Sequence, residues 1–286
     1  MIKVDNRIVE VGHFPDGTQM LLNFEVEVRQ DVPITITWCY EYEEEALTVM
    51  YLKRHLENQY SNEIYLMMPY VANSRMDRVK NDGEVFTLKY FCEFINYLKF
   101  DKVIIVDPHS IVTEALINNL KVLRPDYIIS MAIDYMLLDN SYKREVICYF
   151  PDDGAFKRYK DLECLTGRKC IYGKKERDWK TGKILDIKVC DANGEVLPTC
   201  ALNGVDVLMI DDIISYGGTL AYSADKLKEL GTVNICAYAT HVENSVLDSE
   251  KGTLIKRINN GIVDKVYTTN SLFHEEHPNF DIIHKF

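Results

Sequence analysis

Two apolar runs that end on acidic residues constrain the fold more than any other feature of this 286-residue chain. Lys102 to Asp107 reads Lys-Val-Ile-Ile-Val-Asp, a near-continuous β-branched run of the kind found in a strand covered on both faces. Val207 to Asp212 reads Val-Leu-Met-Ile-Asp-Asp and repeats the pattern. Glu63 to Pro69, Val146 to Phe150, Lys169 to Tyr172, Val205 to Ile210 and Asn234 to Thr240 are further strand candidates. Helical candidates alternate with them. In Glu43 to Leu56, Leu47, Met50 and Tyr51 fall at i, i+3 and i+4. Val85 to Phe100, Ala221 to Leu230 and Lys251 to Asn259 read the same way. This alternation predicts an α/β fold with parallel sheets and helices on both faces. Nearer the start, Leu22 to Val28 alternates with period two and predicts a half-exposed strand. Val32 to Trp38 has a similar rhythm, and Gly-His-Phe-Pro-Asp-Gly-Thr, ending at Thr18, predicts a turn.

One acid-ended run falls in each half, so two comparable domains are expected. The boundary is placed between residues 125 and 140, giving domains 1–130 and 131–286. No Pro/Gly/Ser linker separates them, so tight packing of the halves is expected.

Charge limits the partners. With 33 basic and 44 acidic side chains the formal net charge is −11. That balance argues against a general nucleic-acid or anionic-membrane binder, because phosphate backbones need clustered Lys and Arg. A bound phosphate must be held by a local site or a metal ion. The eight cysteines form no CxxC pair and have no His cluster at zinc-ligand spacing. Reduced, mostly buried thiols and a cytoplasmic location are expected. The start of the chain has no signal-peptide core. No apolar run approaches the ~20 residues that span a bilayer.

The segment Val207 to Leu220 carries the most chemistry: an apolar strand, Asp211 and Asp212, then Ile-Ile-Ser-Tyr-Gly-Gly-Thr and a helix. Ligands of open α/β sheets bind at the carboxyl ends of strands. Free N–H groups at a helix start favour a phosphate. Gly217 and Gly218 let backbone approach closely, Thr219 adds a hydroxyl or a cap, and the two acids suit ribose hydroxyls or Mg²⁺. An ordinary strand-turn-helix with a Thr cap is the plainer alternative.

This segment resembles the phosphoribosyl-pyrophosphate motif of type I phosphoribosyltransferases and of ribose-phosphate pyrophosphokinases. Four more stretches favour the second family. Phe14-Pro-Asp-Gly-Thr18 is similar to its Phe-Ser-Asp-Gly-Glu, and Pro69 to Arg78 to its Pro-Tyr-x-x-x-Ala-Arg-Gln-Asp-Arg. Val106-Asp-Pro-His109 is similar to its Val-Asp-Leu-His, and Pro151-Asp-Asp-Gly154 to its Pro-Asp-x-Gly. All five occur in family order across most of the chain. The resemblance implies two tandem phosphoribosyltransferase-like domains, each a mainly parallel sheet flanked by helices. It implies transfer of the β,γ-diphosphate of Mg-ATP to the anomeric hydroxyl of a ribose 5-phosphate-type acceptor, releasing AMP. It assigns ATP binding to Phe14, Asp16, Arg75 and Asp77. Ribose-phosphate binding falls to Asp211, Asp212, Ser215, Tyr216, Gly217, Gly218 and Thr219, and metal association to His109 and Asp152. Lys175 and Arg177, in a flexible loop spanning Gly173 to Asp178, are the implied catalytic pair, with Lys174 as an alternative register. A homo-oligomer, dimer or hexamer, is implied because a neighbouring subunit completes the family's nucleotide site. The choice between Mg²⁺ and Mn²⁺ stays open.

The chain departs from the family's Asp-Asp-x-x-Asp-Thr-Ala/Gly-Gly-Thr. Ser215 replaces an acid and Tyr216 a small hydroxyl residue; Thr18 and Met76 replace a Glu and a Gln. A 5′-extended acceptor such as ADP-ribose would use Tyr216 as an aromatic surface. A non-catalytic regulatory relative and a phosphoribosyltransferase are the alternatives.

Overall fold

Alternating short strands and helices form two separate units in the computed structural model, which describes residues 1–22, 24, 26–139, 144–177 and 184–286. One unit comprises Met1–Arg124 with Phe286, the other Pro125–Lys285.

The first unit contains β1 (Ile2–Val4), β2 (Arg7–Ile8), β3 (Gly12–His13), β4 (Gln19–Met20), β5 (Ile34–Trp38), α1 (Glu45–Gln59), β6 (Ile64–Met67), α2 (Thr87–Tyr97), β7 (Lys102–Val106), α3 (Ile111–Leu116) and β8 (Leu120–Leu123). Its main sheet has the order β2-β1-β5-β6-β7-β8. The strands from β5 to β8 pair in parallel, β1 joins β5 antiparallel, and β2 closes the edge antiparallel to β1. The core is built on Ile34, Ile36, Leu66, Val103 and Ile105, against Val49, Leu52 and Leu56 of α1 and Leu88, Cys92 and Ile95 of α2. Each such side chain contributes about 1.5–3 kcal/mol on burial. The period-two segment expected to be a strand, Leu22 to Val28, is not one among its described residues. Phe24, Val26 and Val28 still turn toward the core while Glu27 faces water. The alternation therefore reports a face, not a ladder.

The second unit contains α4 (Asp126–Asp139), β9 (Val146–Phe150), α5 (Asp153–Arg158), α6 (Leu162–Thr166), β10 (Cys170–Arg177), β11 (Ile184–Cys190), β12 (Asp206–Ile214), α7 (Gly218–Glu229), β13 (Ile235–Val242), α8 (Thr253–Asn259), β14 (Lys265–Thr269) and β15 (Phe280–His284), with a 3₁₀ turn at Asn244–Leu247. The sheet order is β11-β10-β9-β12-β13-β14-β15. All its neighbours pair in parallel except β10 and β11. Every residue of β9 and of β13 is buried, and β9 is apolar throughout, β13 apolar but for Thr240 and His241. The expected α/β architecture, with mainly parallel sheets flanked by helices, is what the two units have.

Three expectations need correction. A boundary at residue 130 would cut α4, whose Ile128, Ile129, Ala132, Ile133 and Met136 are buried as one element. The helix is apolar nearly all round, so no amphipathic stripe marked it in the sequence. β12 does not stop at Ile210 but runs through both acids to Ile214, paired with β13 as far as Val242. Gly173 to Arg177 is strand, not loop, because Ile187 and Val189 of β11 pair across from it. Asp178 lies outside the described residues.

All eight cysteines are free, and six of them are buried. Among the described residues no helix is long and apolar enough to cross a membrane.

Candidate active site

The carboxyl end of β12 gathers charge from three elements of the second unit. β10 presents alternate residues to alternate faces, so Ile171, Gly173 and Lys175 share one side and Lys174 faces water on the other. Lys175 is therefore the inward lysine. Its Nζ lies 2.8 Å from Asp152 Oδ2, with the Lys175 side chain 10% exposed. Asp152 also caps α5, its Oδ1 accepting from Ala155 N–H at 3.0 Å. Burial alone would raise the Asp152 carboxyl; the Lys175 ammonium and the Ala155 N–H outweigh it and hold the group below its ordinary value.

Asp211 and Asp212 have different surroundings. Asp211 Oδ1 accepts the Asp212 N–H at 3.0 Å. Removal from water pushes the Asp211 carboxyl well above the usual range, and the negative charge of Asp212 and Asp152 pushes the same way. Asp212 is buried and pairs with Arg158 Nη1 at 2.7 Å. Arg158 ends α5, a helix seated by aromatic stacking: Phe156 on Tyr172 and Tyr159 on Phe150. Beneath the cluster, the buried Tyr149 hydroxyl is 2.9 Å from Ser223 of α7. A Cβ at Gly173 would stand 2.3 Å from that hydroxyl, so only glycine lets β10 pass it. Arg158, Tyr149 and Ser223 were not singled out in the sequence. Arg158, six residues after Asp152, was the readable one, because a helix begun at Asp152 returns its last turn to the strand ends.

Past Ile214 the chain turns at Ser215 and Tyr216 and enters α7 at Gly218. Gly217 has φ +76°, and a Cβ there would lie 2.4 Å from Leu254 Cβ. Backbone conformation and packing both require glycine. The Tyr216 carbonyl accepts from Thr253 N–H at 2.8 Å, Leu254 N–H at 3.2 Å and Thr253 Oγ1 at 2.8 Å. The start of α8 thus clamps the turn, while Tyr216 as a residue is 39% exposed. Ala221 N–H is the donor that closes the first helical bond of α7, onto Gly217 O. The N–H groups ahead of it have no intrahelical acceptor. Thr219 is half-buried in that first turn. This arrangement can grip an anion at the turn and hydroxyls at the acids, with Lys175 as a cation beside them.

The remaining candidates lie in the first unit. Phe14 and Asp16 occupy the tip of the β3–β4 hairpin, and both are exposed. Thr18 donates to Asp16 Oδ1 from Oγ1 at 2.7 Å and from N–H at 3.0 Å, which lowers the Asp16 carboxyl. Gln19 ties the hairpin base to α1 through Thr48. Arg75 and Asp77 follow β6; Arg75 is exposed, and Asp77 faces Arg78 at 3.5 Å. His109 is half-buried between β7 and α3, two residues after Asp107, which has φ +44°. Arg177 ends β10, and its side chain lies outside the described residues. Among the described residues no group of three or more His, Cys, Asp or Glu side chains is arranged to hold a metal ion.

No protein-family model matches the chain. In sequence it is similar to the ribose-phosphate pyrophosphokinase of Saccharolobus solfataricus, 27% identical over 246 residues, 85% of this chain and 77% of that protein. The ribose-phosphate pyrophosphokinase of Sulfolobus acidocaldarius is 26% identical over 273 residues, 93% of this chain and 86% of that protein. In structure the chain is similar to phosphoribosylpyrophosphate synthetase from Mycobacterium smegmatis. The TM-score is 0.73 at 18% identity, over 97% of this chain and 86% of that one, a likeness of fold.

Proposed function

We propose that the chain, similar in sequence to ribose-phosphate pyrophosphokinases, is a divergent member of that family and transfers the β,γ-diphosphate of ATP to the 1-hydroxyl of a ribose-phosphate acceptor. The hydroxyl oxygen attacks the β-phosphorus and gives up its proton, which ends in solvent, while the bond from that phosphorus to the oxygen of the α-phosphate breaks and AMP leaves. The observation that carries this reading is the join at β12: paired acids held in a strand, Lys175 beside them on Asp152, and a glycine turn clamped by α8. Asp211 and Asp212 hold the ribose hydroxyls. The N–H groups of Gly217, Gly218 and Thr219 take the 5′-phosphate, with Ser215 and Tyr216 shaping the turn. Lys175, with Arg177 as its partner, neutralises charge that builds on the migrating diphosphate. Phe14, Asp16, Arg75 and Asp77 bind ATP, and the working protein is a homo-oligomer.

The donor set suits Mg²⁺ carried on the triphosphate. Such an ion takes one or two carboxylates and completes its shell with phosphate oxygens and water, so no three-ligand cage is required. Burial first, and then the negative charge of Asp212 and Asp152, raises the Asp211 carboxyl, and a cation beside these acids would offset the second of these causes. Within the second unit Asp152 is the residue that would hold it, and His109 is the metal-associated position of the first unit; when bound, such an ion would neutralise the triphosphate.

For the acceptor, Tyr216 favours a 5′-extended ribose such as ADP-ribose. Its backbone is fixed and its exposed ring offers a flat surface beyond the phosphate turn. The deciding experiment measures AMP released from Mg-ATP with ribose 5-phosphate or ADP-ribose supplied separately. AMP with ADP-ribose supports the extended acceptor. AMP with ribose 5-phosphate alone removes it. No AMP with either sugar overturns the pyrophosphokinase reading.

A further inference from the structure

Ser215 and Glu243 leave adjacent parallel strands side by side. Ile214 of β12 is opposite Val242 of β13, and the Glu243 N–H donates to Ile214 O at 2.8 Å. The 3₁₀ turn after Glu243 then folds Ser245 back between them. Ser245 Oγ donates to Glu243 Oε2 at 3.0 Å, and the Ser215 and Ser245 hydroxyls are 3.2 Å apart. All three residues are half-buried.

Counting protons fixes the direction of this chain of contacts. A hydroxyl has one proton to give and a carboxylate none. Ser245 commits its proton to Glu243, so the contact between the hydroxyls is made only with the Ser215 proton aimed at Ser245. Ser215 is then left with lone pairs alone for the phosphate turn that it opens. We propose that Glu243 is a positioning residue for that turn. Acting through Ser245, it locks Ser215 as a hydrogen-bond acceptor and stations a carboxylate two hydroxyls behind a residue that carries no charge of its own. An incoming phosphate oxygen, itself an acceptor, finds no donor at Ser215 and is directed to the N–H groups at the start of α7. The effect on acceptor binding rests on the function proposed above. The relay itself does not.

The test uses the full-length protein and Ser245→Ala, Glu243→Gln, Ser245→Ala/Glu243→Gln, Ser215→Asp and Ser215→Asp/Glu243→Gln. Calorimetric titration with ribose 5-phosphate and with ADP-ribose, both with Mg²⁺, reads acceptor affinity. Steady-state AMP release reads kcat and the KM for ATP. Glu243→Gln and Ser245→Ala each free the Ser215 proton for a phosphate oxygen and should each tighten the bound sugar about tenfold, the scale of one charge-assisted hydrogen bond. The kcat and the KM for ATP should stay within about twofold, the split expected of a residue that acts on ground-state binding. Ser215→Asp alone should bind the sugar more weakly than the starting protein, because it sets a second carboxylate against the first. Adding Glu243→Gln to it should restore affinity to within about twofold of the starting protein. A merely structural role would not give that rescue. Unchanged or weakened affinity in Glu243→Gln, or no rescue in the double variant, overturns the proposal. Should the unaltered protein bind neither sugar, the functional reading fails, and thermal unfolding without ligand decides the relay. Midpoint losses smaller in the Ser245→Ala/Glu243→Gln variant than the sum of the singles support it, and additive losses overturn it.

Discussion

β7 and β12 look alike in sequence and end differently. β7 stops at Val106, and the next residue, Asp107, still donates its N–H to Leu123 O at 3.1 Å but takes φ +44° and turns out of the strand. His109 follows on a short connection to α3, a helix of six residues. β12 instead carries its acids inside the ladder, pairing on through Ile213 and Ile214, and then feeds a twelve-residue helix through Gly217. The lesson concerns where rigidity resides. An acid inside a paired strand is oriented by its neighbours' backbone, whereas an acid just past the strand is oriented by a turn. Sites that must hold geometry closely are better built on the first kind.

Substitutions can break or sharpen that contrast. Lys175→Ala should have the largest effect, lowering AMP release about 10²–10³-fold in a steady-state assay with Mg-ATP and acceptor. A loss below tenfold would remove Lys175 from the chemistry. Asp212→Asn should also depress turnover, and it leaves Arg158 without its carboxylate. Urea unfolding should register a loss of about 3 kcal/mol, the low end for a buried pair, because Arg158 is partly exposed. Gly217→Ala should lose about 2–3 kcal/mol in the same measurement, from a left-handed backbone that disfavours Cβ and from the collision with Leu254. At the β7 end the expectation is smaller. His109→Ala should raise the Mg²⁺ concentration needed for half-maximal rate about tenfold and leave the unfolding midpoint unchanged. Equal stability losses at the two strand ends would erase the distinction drawn between them. The mildest change is Tyr216→Thr, which should shift preference several-fold toward ribose 5-phosphate if the ring carries an extended acceptor, on the scale of one stacking contact. Competition between the two sugars in the AMP assay reads this directly.

Much of the fold was legible because the buried strands and amphipathic helices kept their own periods. The stretch from Val207 to Leu220 showed both in succession, so strand, turn and helix were found together. What escaped did so for physical reasons. α4 has apolar residues on every side, and β14 and β15 are five-residue strands with no alternation long enough to read. The Lys174/Lys175 ambiguity could not be resolved until Gly173 to Arg177 was known to be a strand, since only then does one lysine face inward. The Ser215–Ser245–Glu243 contact spans about thirty residues and depends on the register of β12 against β13, which no local pattern reports.

The clamp on the Tyr216 carbonyl has a consequence for how such a protein changes over time. All three donors grip main chain, so the shape of the turn is insured by α8 whatever side chain residue 216 bears. A new side chain there can be tried against a new sugar at little risk to the scaffold. On the function proposed here, position 216 is a place where substrate preference can drift step by step while the backbone around it stays put.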